Sequence, residues 1–158
     1  MSAVETPHFF VELPGRPSKR EERESGVLRT EYMYEEEPFG LFAVVLEQLD
    51  VDLFTAAGGE QLRDLARKRC LDRWVGKTEA VLEDEARDWG ILGVSGWELA
   101  LRLELESPAA HFASLVAFPH GNVGCVLELT MLGPWSEAFE QQVREVQDSL
   151  RISPSKLD

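Results

Sequence analysis

Two apolar runs, Phe112–Phe118 and Val123–Met131, are separated only by Pro119-His120-Gly121-Asn122. So short a link makes a hairpin and rules out a parallel crossover, which needs a dozen or more residues. Just upstream, Trp97, Leu99, Leu101, Leu103 and Leu105 alternate with Glu98, Ala100, Arg102 and Glu104. A strict period of two describes a strand with one face in a core and the other in water. Successive strands with tight turns commit the second half of the chain to an antiparallel sheet.

The first half adds strands of its own. His8–Leu13 is an aromatic and β-branched run stopped by the turn chemistry of Pro14-Gly15-Arg16-Pro17. Ser18–Gly26 is charged and without apolar period, and reads as a connection or the start of a hairpin. In Val27–Glu35, Leu28, Thr30, Tyr32 and Tyr34 form the apolar side of a half-buried strand. Leu41–Leu46 is apolar without a break, the mark of a strand covered on both faces, and Glu47–Phe54 leads from it into a helix.

That helix is expected from about Gly58 to Trp74, with Leu62, Leu65, Ala66, Cys70 and Trp74 as its stripe and Gly76 beyond its end. Its polar face is read as Arg63, Arg67, Lys68, Arg69 and Arg73. Ala80-Val81-Leu82 is strand-like, and the glycines between Trp89 and Trp97 suggest a turn. A last helix starts at Ser136, with Glu137 and Glu140 in its first turn and Phe139, Val143, Val146 and Leu150 inward. The expected order is β-β-β-α-β-β-β-β-α. It describes an α+β protein in which helices flank an antiparallel sheet, an α/β/α sandwich. One domain is expected over residues 1–158, with an ordered core at 7–152 between short tails.

A net charge of −13 repels phosphate backbones and anionic lipid, so neither nucleic acid nor membrane is an expected partner; another protein is. No stretch approaches the roughly 20 apolar residues of a membrane span, and Met1–Thr6 has no leader pattern. Cys70 and Cys125 lie in apolar patterns and are expected as buried free thiols, in keeping with a cytoplasmic setting.

No catalytic pattern is complete in the sequence. Gly93-Val94-Ser95-Gly96-Trp97 lacks the second glycine that a nucleophile elbow needs. Cys70 has basic neighbours, but they are placed off its own helix face. His8, His111 and His120 show no metal-ligand spacing, and Glu35–Glu37 and Glu83–Glu85 have no calcium-loop pattern. Gly58-Gly59 is followed by no phosphate-loop signature. No catalytic, cofactor or metal residues are therefore assigned. The candidate partner-binding residues are Phe39, Leu41, Trp89 and Trp97, with Arg63 and Arg67 on the basic side of the first helix.

Three local patterns, together with the order of elements, resemble the PsbP-like superfamily. They are Phe10-Val11-Glu12-Leu13-Pro14-Gly15-Arg16-Pro17, Gly93-Val94-Ser95-Gly96-Trp97-Glu98, and Phe139–Ile152 closing in Ser149-Leu150-Arg151-Ile152. The superfamily includes an extrinsic photosystem protein, a Ran-binding import factor and bacterial DcrB-like domains. The resemblance implies a binding or assembly protein, in some bacterial relatives a chaperone-adaptor for secreted effectors. Three classes stay open: a protein-binding adaptor, a small-ligand binder or enzyme with a site assembled across the fold, and an acidic immunity-type or self-assembling protein. For the second, Arg87, Trp89, Trp97 and His111 are the first places to look.

Overall fold

A computed structural model describes residues 2–24, 26–34, 41–50, 60–74, 80–91, 94–104, 110–120, 123–132 and 136–152. Ten strands and two helices follow one another over these residues. They are β1 (Ser2–Glu5), β2 (Phe9–Leu13), β3 (Ser18–Glu24), β4 (Val27–Met33), β5 (Leu41–Asp50), α1 (Glu60–Trp74), β6 (Ala80–Ile91), β7 (Val94–Glu104), β8 (Ala110–His120), β9 (Val123–Leu132), α2 (Glu137–Asp148) and β10 (Arg151–Ile152).

Seven strands form one sheet in the order β3-β4-β5-β9-β8-β7-β6, with every neighbouring pair antiparallel. A second sheet, β1-β2-β10, is also antiparallel. Alternation along the central strands divides the interior into two cores. Val44 and Leu46 of β5 and Cys125, Leu127 and Leu129 of β9 face the small sheet and α2, where they meet Phe9, Val11, Leu13, Phe139, Val143 and Val146. Leu49, Val126, Leu115, Ala117 and Leu99 face the other way and meet Leu62, Ala66 and Cys70 of α1. The helices therefore flank the large sheet from opposite sides, as expected, and the small sheet shares one side with α2.

Local chemistry accounts for the element ends. Ser136 caps α2 in an extended conformation, and its Oγ accepts from the Phe139 amide at 3.1 Å. The other end of α2 is tied to β2 by Ser149, whose Oγ accepts from the Glu12 amide at 2.9 Å and donates to the Val146 carbonyl at 2.6 Å. Gly15 turns the chain at φ +63, a region that side chains disfavour. Beside it the Tyr34 hydroxyl donates to the Pro14 carbonyl at 2.7 Å.

Several elements differ from the sequence reading. The charged stretch after Pro17 is a true hairpin arm, β3, along the exposed edge of the large sheet. Charge on an edge strand deters unwanted pairing while leaving its backbone free to pair inward. β5 runs on to Asp50 rather than ending at Leu46. The acidic stretch after Leu82 belongs to one long strand, β6, and Ser95 and Gly96 already lie in β7. The expected N-terminal tail contains β1, and the chain after α2 adds β10. Short strands without a clear period draw their stability from the neighbour they pair with, which local patterning does not reveal.

Gly96 has its own reason. A Cβ placed there would lie 2.1 Å from the Ala117 carbonyl oxygen and 2.8 Å from the Phe118 Cβ. The residue lets β7 and β8 approach; no catalytic turn is formed.

Candidate functional site

Beneath α1 the large sheet carries two carboxylates where apolar side chains would be expected. Glu47 continues the inward row Ala43-Val45-Glu47-Leu49 of β5, and Glu128 lies between Val126 and Thr130 on β9. The two strands are paired so that Val45 is opposite Glu128 and Val126 opposite Glu47. The carboxylates are thus diagonal neighbours on one face, and their side chains are 2% and 1% exposed.

The helix above answers with two arginines. At 3.6 residues per turn, a step of seven returns to about the same face. Arg69 is seven residues from Leu62, and Arg73 seven from Ala66, so both guanidinium stems start within the apolar stripe. Arg69 donates to Glu47 Oε2 from Nε at 2.8 Å and from Nη2 at 2.6 Å. Arg73 bridges the pair, reaching Glu47 Oε1 at 2.8 Å and Glu128 Oε1 at 2.6 Å. The Thr130 hydroxyl donates to Glu128 Oε2 at 3.1 Å. Among the described residues, two guanidinium groups and two carboxylates meet here.

Electrostatics follow from that arrangement. Burial alone would lower the pKa of Arg73, but Glu128 and Glu47 outweigh it and hold the guanidinium above its ordinary range. Burial drives the Cys70 thiol well above its ordinary value, and the Glu128 carboxylate, which accepts its S–H, pushes the same way. Cys70 is therefore kept as a thiol, the form without nucleophilic character. The cluster can fix α1 against the sheet at one register. Arg69 and Arg73 hold Glu47, Arg73, Thr130 and Cys70 are among the donors to Glu128, and both carboxylates are buried.

The same sheet face carries a second charged group towards the edge. Glu22 of β3 lies opposite Arg29 of β4, and Arg29 lies opposite Glu47 of β5. Glu22 is bonded by both Arg20 and Arg29, and Arg29 Nε stands 3.1 Å from Glu31. On the opposite side of the sheet, at its far end, His8 and His120 bring their Nδ1 atoms to 2.9 Å.

The expected partner-binding residues are dispersed. Arg63 is half-buried beside Asp64 at 3.2 Å, and Arg67 is half-buried one turn on. Trp97 packs partly buried against the α1-facing core. Trp89 lies on β6 opposite Gly96, and Leu41 opens β5, but their side chains, like those of Arg87 and His111, lie outside the described residues. Phe39 and Gly76 lie outside them altogether. Arg69 and Arg73, read as part of a solvent-facing polar side, instead point into the sheet. The seven-residue step from the stripe was the signal that could have placed them, and charge alone obscured it. Glu47 and Glu128 were not singled out, although each has apolar residues two positions before it on the same strand face.

Both cysteines are free and buried, as the sequence suggested. Among the described residues no helix is long and apolar enough to cross a membrane, and no group of three or more histidine, cysteine or acidic side chains could hold a metal ion.

No protein-family model and no curated protein sequence matches the chain. Among solved structures it is similar to cyanobacterial PsbP (CyanoP) from Synechocystis sp. PCC 6803, with a TM-score of 0.48 and 12% identity over 89% of this chain and 95% of that one. It is also similar to a protein from Bacteroides thetaiotaomicron VPI-5482, with a TM-score of 0.42 and 11% identity, over 93% of this chain and 46% of the other. Likeness this distant adds nothing to the fold, which stands on the strands and helices described above.

Proposed function

We propose that the chain is a non-catalytic, PsbP-like binding module that acts by holding another protein in the cytoplasm. One observation carries the reading: the acids, bases and thiol beneath α1 are buried and bonded to one another. Groups that turnover would need free are committed to seating a helix. A helix clamped in this way is a rigid platform, and rigid elements make the more precise recognition surfaces. Outside, Gln61, Asp64, Lys68 and Asp72 are exposed on α1 with Arg63 and Arg67 at their flank. With Arg69 and Arg73 turned inward, that surface is of mixed charge, and it suits a partner with interspersed charges of both signs rather than a uniformly acidic one. Two free thiols fit a reducing compartment. The sequence patterns that resemble those of the superfamily hold structural posts here, a Pro-Gly turn, a close strand approach and a helix-to-strand tie.

The test is capture from native extract with the wild-type protein and with an Arg63→Glu/Arg67→Glu/Lys68→Glu variant as paired baits. One protein enriched on the first and lost on the second, then reconstituted from purified components, is the expected result. Absence of any differentially held protein, together with turnover of a small substrate by the purified chain, would overturn the reading.

A further inference from the structure

We propose that His8 and His120 form a proton-operated clasp that holds the small sheet against the end of the large one and releases it on acidification. The residues come from distant parts of the chain: His8 immediately precedes β2, and His120 is the last residue of β8. Their Nδ1 atoms are 2.9 Å apart, the rings are inclined at 80°, and the centroids stand 5.1 Å apart. The centroid separation exceeds the nitrogen separation by nearly two ring radii, so the two nitrogens point straight at each other. That is the geometry of one N–H···N hydrogen bond, in which one ring supplies the hydrogen and the other its lone pair. Two ligands of a single metal ion would instead aim at a common third point.

The clasp is anchored on both sides. Thr6 Oγ1 accepts from the amides of His8 at 3.1 Å and Phe9 at 3.0 Å, and the Thr6 amide donates to the Phe9 carbonyl at 2.8 Å, closing a tight turn under His8. His120 is fixed by its pairing with Val123. Directly inside lies the edge-on contact of Phe9 with Phe118, both fully buried, at 6.0 Å between centroids. The hydrogen bond therefore closes the rim of the core between the two sheets.

A second proton abolishes it. With both rings charged, each Nδ1 carries a hydrogen, no lone pair remains, and two cations face each other at hydrogen-bond distance. Among the described residues, the neighbouring elements offer little to offset that charge. Val123 on β9 and Pro119 on β8 are uncharged, and the Cys125 thiol is buried and protonated. α2 turns Phe139, Gln142, Val143 and Val146 to this core. Glu5 ends β1 and is exposed, Glu12 sits on β2, and Arg151 on β10 is an exposed cation opposite Phe10. Burial, and then the charge of His120, hold His8 below its ordinary value. A base whose folded pKa is lowered is neutral in both states at high pH. As pH falls through 6.5, the unfolded chain takes up its proton first. The clasp therefore holds at full strength above that pH and is weakened progressively as pH falls below it.

The experiment is amide hydrogen exchange at Phe9, Val11 and Phe118, corrected for intrinsic rates, between pH 7.5 and 5.5. It is run on the wild type, His120→Gln and His8→Gln, with imidazole nitrogen chemical shifts recorded in parallel. Exchange at these amides should rise about tenfold in the wild type for each pH unit below the transition. It should be nearly flat in either variant, and the second serves if the first does not fold. Imidazole nitrogen shifts showing no bond between the two Nδ1 atoms at pH 7.5, or an equal acid response in the variants, would overturn the clasp. So would a stoichiometric shift of both rings on adding Zn²⁺, which would make the pair a metal site.

Discussion

Replacing Arg73 with Met separates the structural account of the buried cluster from a generic loss of charge. Met keeps most of the apolar stem and deletes the guanidinium. Glu47 would retain Arg69 at 2.6 Å, but Glu128 would lose the guanidinium now 2.6 Å away and keep neutral donors such as Thr130 and Cys70. Breaking a buried ion pair from one side costs about 3–5 kcal/mol, because a buried charge loses its close opposite. Arg69→Met is milder. The Arg69 side chain is 25% exposed and Glu47 keeps Arg73, so a loss of about 1–2 kcal/mol is expected. For a domain of this size each kcal/mol lowers Tm by roughly 2–4 °C. Arg73→Met should then fall by about 10 °C and Arg69→Met by about 4 °C. Arg73→Met/Glu128→Leu removes both ends and should recover to within about 2 kcal/mol of wild type, since neither charge of this pair is left behind. Urea unfolding followed by tryptophan fluorescence, with calorimetric Tm values alongside, measures all three. Equal losses in the two single variants would refute the asymmetry on which the argument rests, and so would a double variant no more stable than Arg73→Met.

Gly96→Ala should destabilise by about 1–3 kcal/mol or prevent folding, because its new methyl group meets the Ala117 carbonyl at 2.1 Å and β7 must move away from β8; chemical denaturation reads the loss. Cys70 and Cys125 should resist a thiol reagent such as a water-soluble disulfide in the native protein at pH 8 and react fully once urea unfolds it, because burial raises both thiols, Cys125 to about 12. Since the unfolded thiols ionise first, stability should also fall as pH rises above 9, which unfolding midpoints between pH 8 and 10 would show.

Much of the architecture was legible because it rests on short-range chemistry. The alternation of Trp97 and Leu99 with Glu98 and Ala100 appears as a half-buried β7, with Leu99 in the core and Ala100 exposed. The Ser136 cap and the Phe139–Val143–Val146 stripe define α2 as read. The link after Phe118 makes the β8–β9 hairpin, with His120 opposite Val123. β3 was legible only as one of two readings, a connection or the start of a hairpin, and the latter half of β6 was not legible as a strand. Their residues satisfy no apolar period, and partners β4 and β7 make them strands. Among candidate site residues the miss was of another kind. Arg69, Arg73, Glu47 and Glu128 are charged, and charge usually marks a solvated face, so each alone reads as surface.

Local order along the chain determined where both helices and most of the strands form, and that the sheet is antiparallel, because those properties depend on residues a few positions apart. The tertiary structure alone decided which charges meet. Glu47 and Glu128 become neighbours through the pairing of β5 with β9, Arg73 reaches both only once α1 lies across that pair, and His8 finds His120 across 112 positions of sequence. A charge is tolerable inside a protein only with its opposite beside it. The pairing of strands and the seating of one helix supply that opposite.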